Sequence, residues 1–102
     1  MRELLNDDFY LISEIADKMD IVLPSPTKEV KGKIINKTQA EYGAELMTLL
    51  LKKAYKAKEP INELLANITG EDVEKIKKMT IKDSVKMVTK LFQKEGFIDF
   101  FK

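Results

Sequence analysis

Apolar residues recur every three or four positions along most of this chain, the spacing that places them on one face of an α-helix. The first such segment follows three residues that can cap a helix, Asn6, Asp7 and Asp8, and predicts a helix over about 8–19. Its inward face would carry Phe9, Ile12, Ile15, Ala16 and Met19.

A second helix is predicted over 38–58, because Thr38 and Glu41 have the spacing of a capping box. It would be the longest in the chain. Its apolar residues cover more than one narrow stripe, so we expect it to be the central helix, contacted from several sides.

Three further helical segments follow. Pro60 suits the first turn of a helix that carries an apolar face to Ile68 and stops at Gly70. A short helix then begins near Asp72, and a last one begins at Thr80 and stops before Gly96. The last helix would direct a single apolar face inward: Ile81, Val85, Val88, Leu91 and Phe92.

The segment 24–37 shows no clear period and contains two Pro, one Gly and four Lys. We interpret it as a mobile linker, with a short strand over 30–35 as the alternative. The sequence therefore predicts one all-α domain over 1–102, a compact bundle of about five helices with this linker after the first.

The chain contains no His and no Cys, so it lacks the usual general base and the ligands of most zinc sites. Its densest acidic group is Glu71, Asp72 and Glu74. These carboxylates could hold a metal ion, but acidic residues also favour the first turn of a helix, which is the interpretation we prefer. We expect no enzymatic activity, no cofactor and no metal.

The formal net charge is +1 and the only Arg is Arg2, which argues against sequence-specific nucleic-acid binding. Two lysine groups, within 28–37 and 52–58, are typical of a solvated loop and a helix C-terminus. The first residues lack a signal-peptide core and no apolar run is long enough to span a bilayer. We therefore expect a cytoplasmic protein without a membrane partner.

Four large apolar residues, Phe97, Ile98, Phe100 and Phe101, lie within the last six positions. They could fold back onto the core or could anchor a partner protein or a second copy of the chain. From this surplus of apolar residues we select six candidates for partner binding: Leu46, Leu50, Tyr55, Phe97, Phe100 and Phe101.

Three stretches carry a resemblance to a known family: DFYLISEIADKMDI (8–21), EYGAELMTLLLKKAYKAKEPINELLANITG (41–70) and EGFIDFFK (95–102). Together they resemble the tail assembly chaperones of long-tailed phages and prophages of low-GC Gram-positive bacteria. The resemblance implies a non-enzymatic protein of the host cytoplasm that self-associates. Its partners would be the tape-measure protein, which it keeps soluble, and the tail-tube protein. Many members of the family are also made in a second, longer form by a programmed frameshift.

Two other functions stay open on the sequence alone. A small DNA-binding regulator could contain a helix-turn-helix over 61–79, although that stretch has no Arg and few Gln or Asn residues to read bases. A generic helical adaptor, or a partner that neutralises a toxin, is the other alternative.

Overall fold

The computed structural model describes residues 1–101 and shows a mostly helical protein with one small β-hairpin. Over this range four helices have eleven or more residues and a fifth has only five. The helices are α1 (Phe9–Met19), α2 (Gln39–Lys53), α3 (Lys58–Thr69), α4 (Val73–Lys77) and α5 (Ile81–Phe92). The strands are β1 (Thr27–Val30) and β2 (Lys33–Asn36), and 3₁₀ turns occupy Asn6–Asp8, Ala54–Ala57 and Ile98–Phe101.

Three of the helix boundaries lie at capping residues that the sequence predicts. Thr38 accepts a hydrogen bond from the Glu41 N–H at 3.1 Å and begins α2, as predicted. Thr80 caps α5 in the same way through the Asp83 N–H. Gly70 ends α3 in the left-handed conformation with φ 75°, which a glycine adopts without steric cost.

A purely all-α class is wrong, because β1 and β2 form an antiparallel hairpin inside the segment predicted as a linker without regular structure. Lys31 and Gly32 connect the strands with φ values of 52° and 80°, the pattern of a two-residue turn that matches the twist of a hairpin. Ion pairs from Lys28 to Glu41 and from Lys37 to Glu45 tie the hairpin to α2.

The predicted central role of the 38–58 helix is also wrong. That segment ends as an α-helix at Lys53, and α2 buries only Leu46 and Leu50. Helix α3 is the more deeply buried element and packs against α1, α4 and α5. The core consists of residues from every helix: Ile12, Ile15, Met19, Leu46, Leu50, Ala57, Ile61, Leu64, Leu65, Ile68, Ile76, Leu91, Phe92 and Phe97.

Three side chains predicted to face inward are instead exposed: Phe9, Ile81 and Val85. Each lies in the first or second turn of its helix. A period of 3.6 residues identifies the apolar face of a helix, but it does not say how far along that face the neighbouring helices extend.

Candidate protein-binding surface

The six predicted partner-binding residues do not form one surface. Leu46, Leu50 and Phe97 lie in the core, so this conformation does not present them to a partner, and their apolar character is explained by their burial. Tyr55 is 71% exposed in the turn between α2 and α3. Phe100 and Phe101 are half-buried against the core cluster.

The C-terminal aromatic segment folds back onto the protein, the first of its two predicted interpretations. Gly96, with φ 89°, turns the chain after α5, and the 3₁₀ turn Ile98–Phe101 then lies against α1. The Phe97 ring lies 5.1 Å from that of Phe92 and 5.5 Å from that of Phe101. This stack anchors the segment and leaves Phe100 at the surface edge.

Phe100 completes an aromatic cluster that is open to solvent. Its ring centroid lies 5.2 Å from that of Phe9, which lies 5.5 Å from that of Tyr10, both in edge-to-face arrangements. Phe9 is 49% exposed and Tyr10 is 73% exposed. We call these three residues the aromatic surface.

An ion pair orders the chain directly before the aromatic surface. Asp8, directly before Phe9, is only 2% exposed and binds the Arg2 guanidinium. It also accepts the Leu5 N–H at 2.7 Å and does not cap α1 with its side chain, a role for which the sequence offered Asn6, Asp7 and Asp8 equally. The hydrogen bond from Arg2 lowers the pKa of Asp8, and the nearby Leu5 N–H lowers it further. The start of α1 is therefore fixed by charge as well as by packing.

Sequence reasoning missed Tyr10 and placed Phe9 in the core. The sequence offers no decisive signal, because adjacent helical residues point about 100° apart and yet the neighbours Leu91 and Phe92 are both buried here. The contact between Phe9 and Phe100 carries no sequence signal, because it depends on the turn at Gly96.

The carboxylates of Glu71, Asp72 and Glu74 all form interactions with nearby residues of the chain. Glu71 pairs with Lys75 at 3.0 Å, Glu74 pairs with Lys77 at 3.3 Å, and Asp72 accepts the Glu74 N–H as the cap of α4. Among residues 1–101 there is no group of three or more acidic residues arranged to hold a metal ion.

The segment considered for a helix-turn-helix consists of α3 and α4. Helix α4 has five residues and buries Ile76, so it offers little more than one turn to a DNA groove. Within the described part of the chain, no helix is long and apolar enough to cross a membrane.

The chain matches no protein-family model, no curated protein and no solved structure.

Proposed function

We propose that this protein is a non-enzymatic tail assembly chaperone of a phage or prophage, which binds the tape-measure protein or the tail-tube protein. In this proposal it acts in the cytoplasm of the bacterial host and self-associates. The proposal begins from the resemblance of residues 8–21, 41–70 and 95–102 to that family.

The aromatic surface is the observation that supports a binding function best. Phe9, Tyr10 and Phe100 expose aromatic area although the fold buries other aromatic rings completely, such as those of Phe92 and Phe97. Aromatic rings provide large contact areas at low entropic cost, because only two side-chain torsions must be fixed. An apolar segment of an unassembled client is a suitable ligand for such a surface.

The aromatic surface is also ordered without a bound client. The ring of Phe9 is held between Tyr10 and Phe100, and the Arg2–Asp8 ion pair fixes the turn that precedes it. A surface that is already ordered loses less conformational freedom when it binds.

Co-expression with the tape-measure protein of the phage or prophage that encodes this chain tests the proposal. We expect soluble tape-measure protein with the wild type and a large loss with Tyr10→Ser. Tyr55→Ser is the matched control, since Tyr55 is almost equally exposed and lies in a different turn. Unchanged solubility of the client with and without this chain would overturn the proposal. Loss with Tyr55→Ser alone would move the binding surface to Tyr55.

A further inference from the structure

Helix α5 projects beyond the core at its N-terminal end. Residues three or four apart share a helix face, so Ile81, Val85, Val88 and Phe92 form one stripe. Exposure falls along this stripe from 83% at Ile81 and 48% at Val85 to 0% at Phe92. The first two turns of α5 therefore present an uncovered apolar face.

A row of lysines lies beside this stripe. Lys82, Lys86 and Lys90 are exposed and occur every four residues, about 6 Å apart along the helix. None of them forms an ion pair with any residue in the range 1–101, whereas Lys75 and Lys77 on neighbouring α4 are both paired with carboxylates. Asp83 is the one acidic residue of α5, so three lysines leave this helix with an excess of positive charge.

A groove of about 370 Å³ lies across the lysine row from Ile81 and Val85, and neither of these two residues lines it. Met79 and Met87 form its apolar lining, and Lys86 and Lys90 form part of its charged lining. A helix bound over Ile81 and Val85 would therefore not occupy this groove. The complete lining is Met1, Thr69, Met79, Asp83, Lys86, Met87 and Lys90.

We propose that the first two turns of α5 bind an acidic amphipathic helix of a partner protein through the apolar stripe and the lysine row. Glutamates four residues apart on such a helix repeat about every 6 Å, the spacing of Lys82, Lys86 and Lys90. Its apolar stripe would cover Ile81 and Val85, which a phosphate backbone would leave in water. This surface shares no residue with the aromatic surface, and the inference stands whether or not the protein is a tail assembly chaperone.

The probe is a fluorescein-labelled synthetic helix of about 18 residues, five turns long, with leucines on one stripe and glutamates flanking it. The control peptide carries lysines in place of the glutamates. Fluorescence anisotropy measures the binding of each to the full chain. We expect the glutamate peptide to bind with an affinity that falls as salt rises, and the lysine peptide to bind at least about tenfold more weakly.

Charge reversal locates the site. Lys82→Glu with Lys86→Glu should weaken binding of the glutamate peptide about tenfold or more, and Ile81→Ser should weaken it without changing the salt dependence. Lys52→Glu with Lys56→Glu is the matched control, because these two lysines are also exposed and unpaired within residues 1–101. All these positions are exposed, and circular dichroism checks that each variant stays folded.

Three outcomes would overturn the proposal. The first is equal binding of the two peptides, and the second is an unchanged affinity in the Lys82→Glu, Lys86→Glu variant. The third is concentration-dependent dimerisation that Ile81→Ser abolishes, which would assign the α5 face to a second copy of the chain.

Discussion

The Arg2 guanidinium binds the Asp8 carboxylate through two hydrogen bonds, from Nη1 to Oδ2 at 2.7 Å and from Nη2 to Oδ1 at 2.9 Å. The backbone N–H of Arg2 also donates to the carbonyl oxygen of Ile68 at 2.9 Å. Arg2 therefore links the N-terminal segment to the start of α1 through its side chain and to the end of α3 through its backbone. A planar, bidentate contact of this kind needs the fork of an Arg and would not be reproduced by Lys.

Asp8→Asn should destabilise the protein by about 1–3 kcal/mol at pH 7, because it removes a nearly buried charged hydrogen-bond acceptor. The pKa of Asp8 is lowered in the folded state, so its contribution is complete above the unfolded-state pKa and is lost as the pH falls through the folded-state pKa. The stability difference between wild type and Asp8→Asn should thus shrink below about pH 4.

Urea unfolding at several pH values measures this difference. Asp17→Asn is the control, since Asp17 is exposed on the same helix and forms no hydrogen bond or ion pair within residues 1–101. A constant difference between Asp8→Asn and wild type from pH 7 to pH 2 would contradict the assigned role of the ion pair.

Phe97→Ala should cost about 3–5 kcal/mol, because the ring is fully buried between Phe92 and Phe101. Tyr10→Ala should change stability by less than about 0.5 kcal/mol, since its ring is largely in solvent. Thermal or urea unfolding of the two variants checks the contrast. A small effect of Phe97→Ala would mean that the C-terminal segment is not part of the folded core.

Gly32→Ala should weaken the hairpin by about 1–2 kcal/mol, because φ is 80° at Gly32 and a Cβ is strained there even with no neighbouring atom within 4 Å. Hydrogen exchange at the Ile35 amide, paired with Lys28 across the strands, should then become faster. Gly43→Ala is the opposite case: Gly43 is helical and equally uncrowded, so alanine should stabilise α2 by up to about 1 kcal/mol. Unchanged Ile35 exchange in Gly32→Ala would show that the hairpin does not need a glycine at position 32.

The helices could be predicted because their signals are local. Capping by Thr38 and the stop at Gly70 involve residues within one turn of each other. The hairpin could not be predicted with the same certainty, because its turn is Lys-Gly rather than Asn-Gly and its strands show no alternation of buried and exposed residues. Val30, Ile34 and Ile35 are all exposed, so no buried face marks the strands.

The candidate surfaces depended on distant contacts, which the sequence does not encode in any short pattern. Phe97 and Phe100 are three residues apart in one apolar cluster, yet the first is in the core and the second contacts Phe9 at the surface. Ile81 and Phe92 belong to one stripe of α5, and only the extent of the neighbouring helices decides which of them is covered.

The most direct test of a binding function is to map the surface that a client contacts, by recording ¹H–¹⁵N spectra of the labelled protein during titration with a soluble fragment of the tape-measure protein. We predict that the largest shift changes occur at Phe9, Tyr10 and Phe100, and that Tyr10→Ser suppresses them while Tyr55→Ser does not. Spectra that do not change, or changes confined to residues around Tyr55, would contradict the assignment of the aromatic surface as the site of client binding.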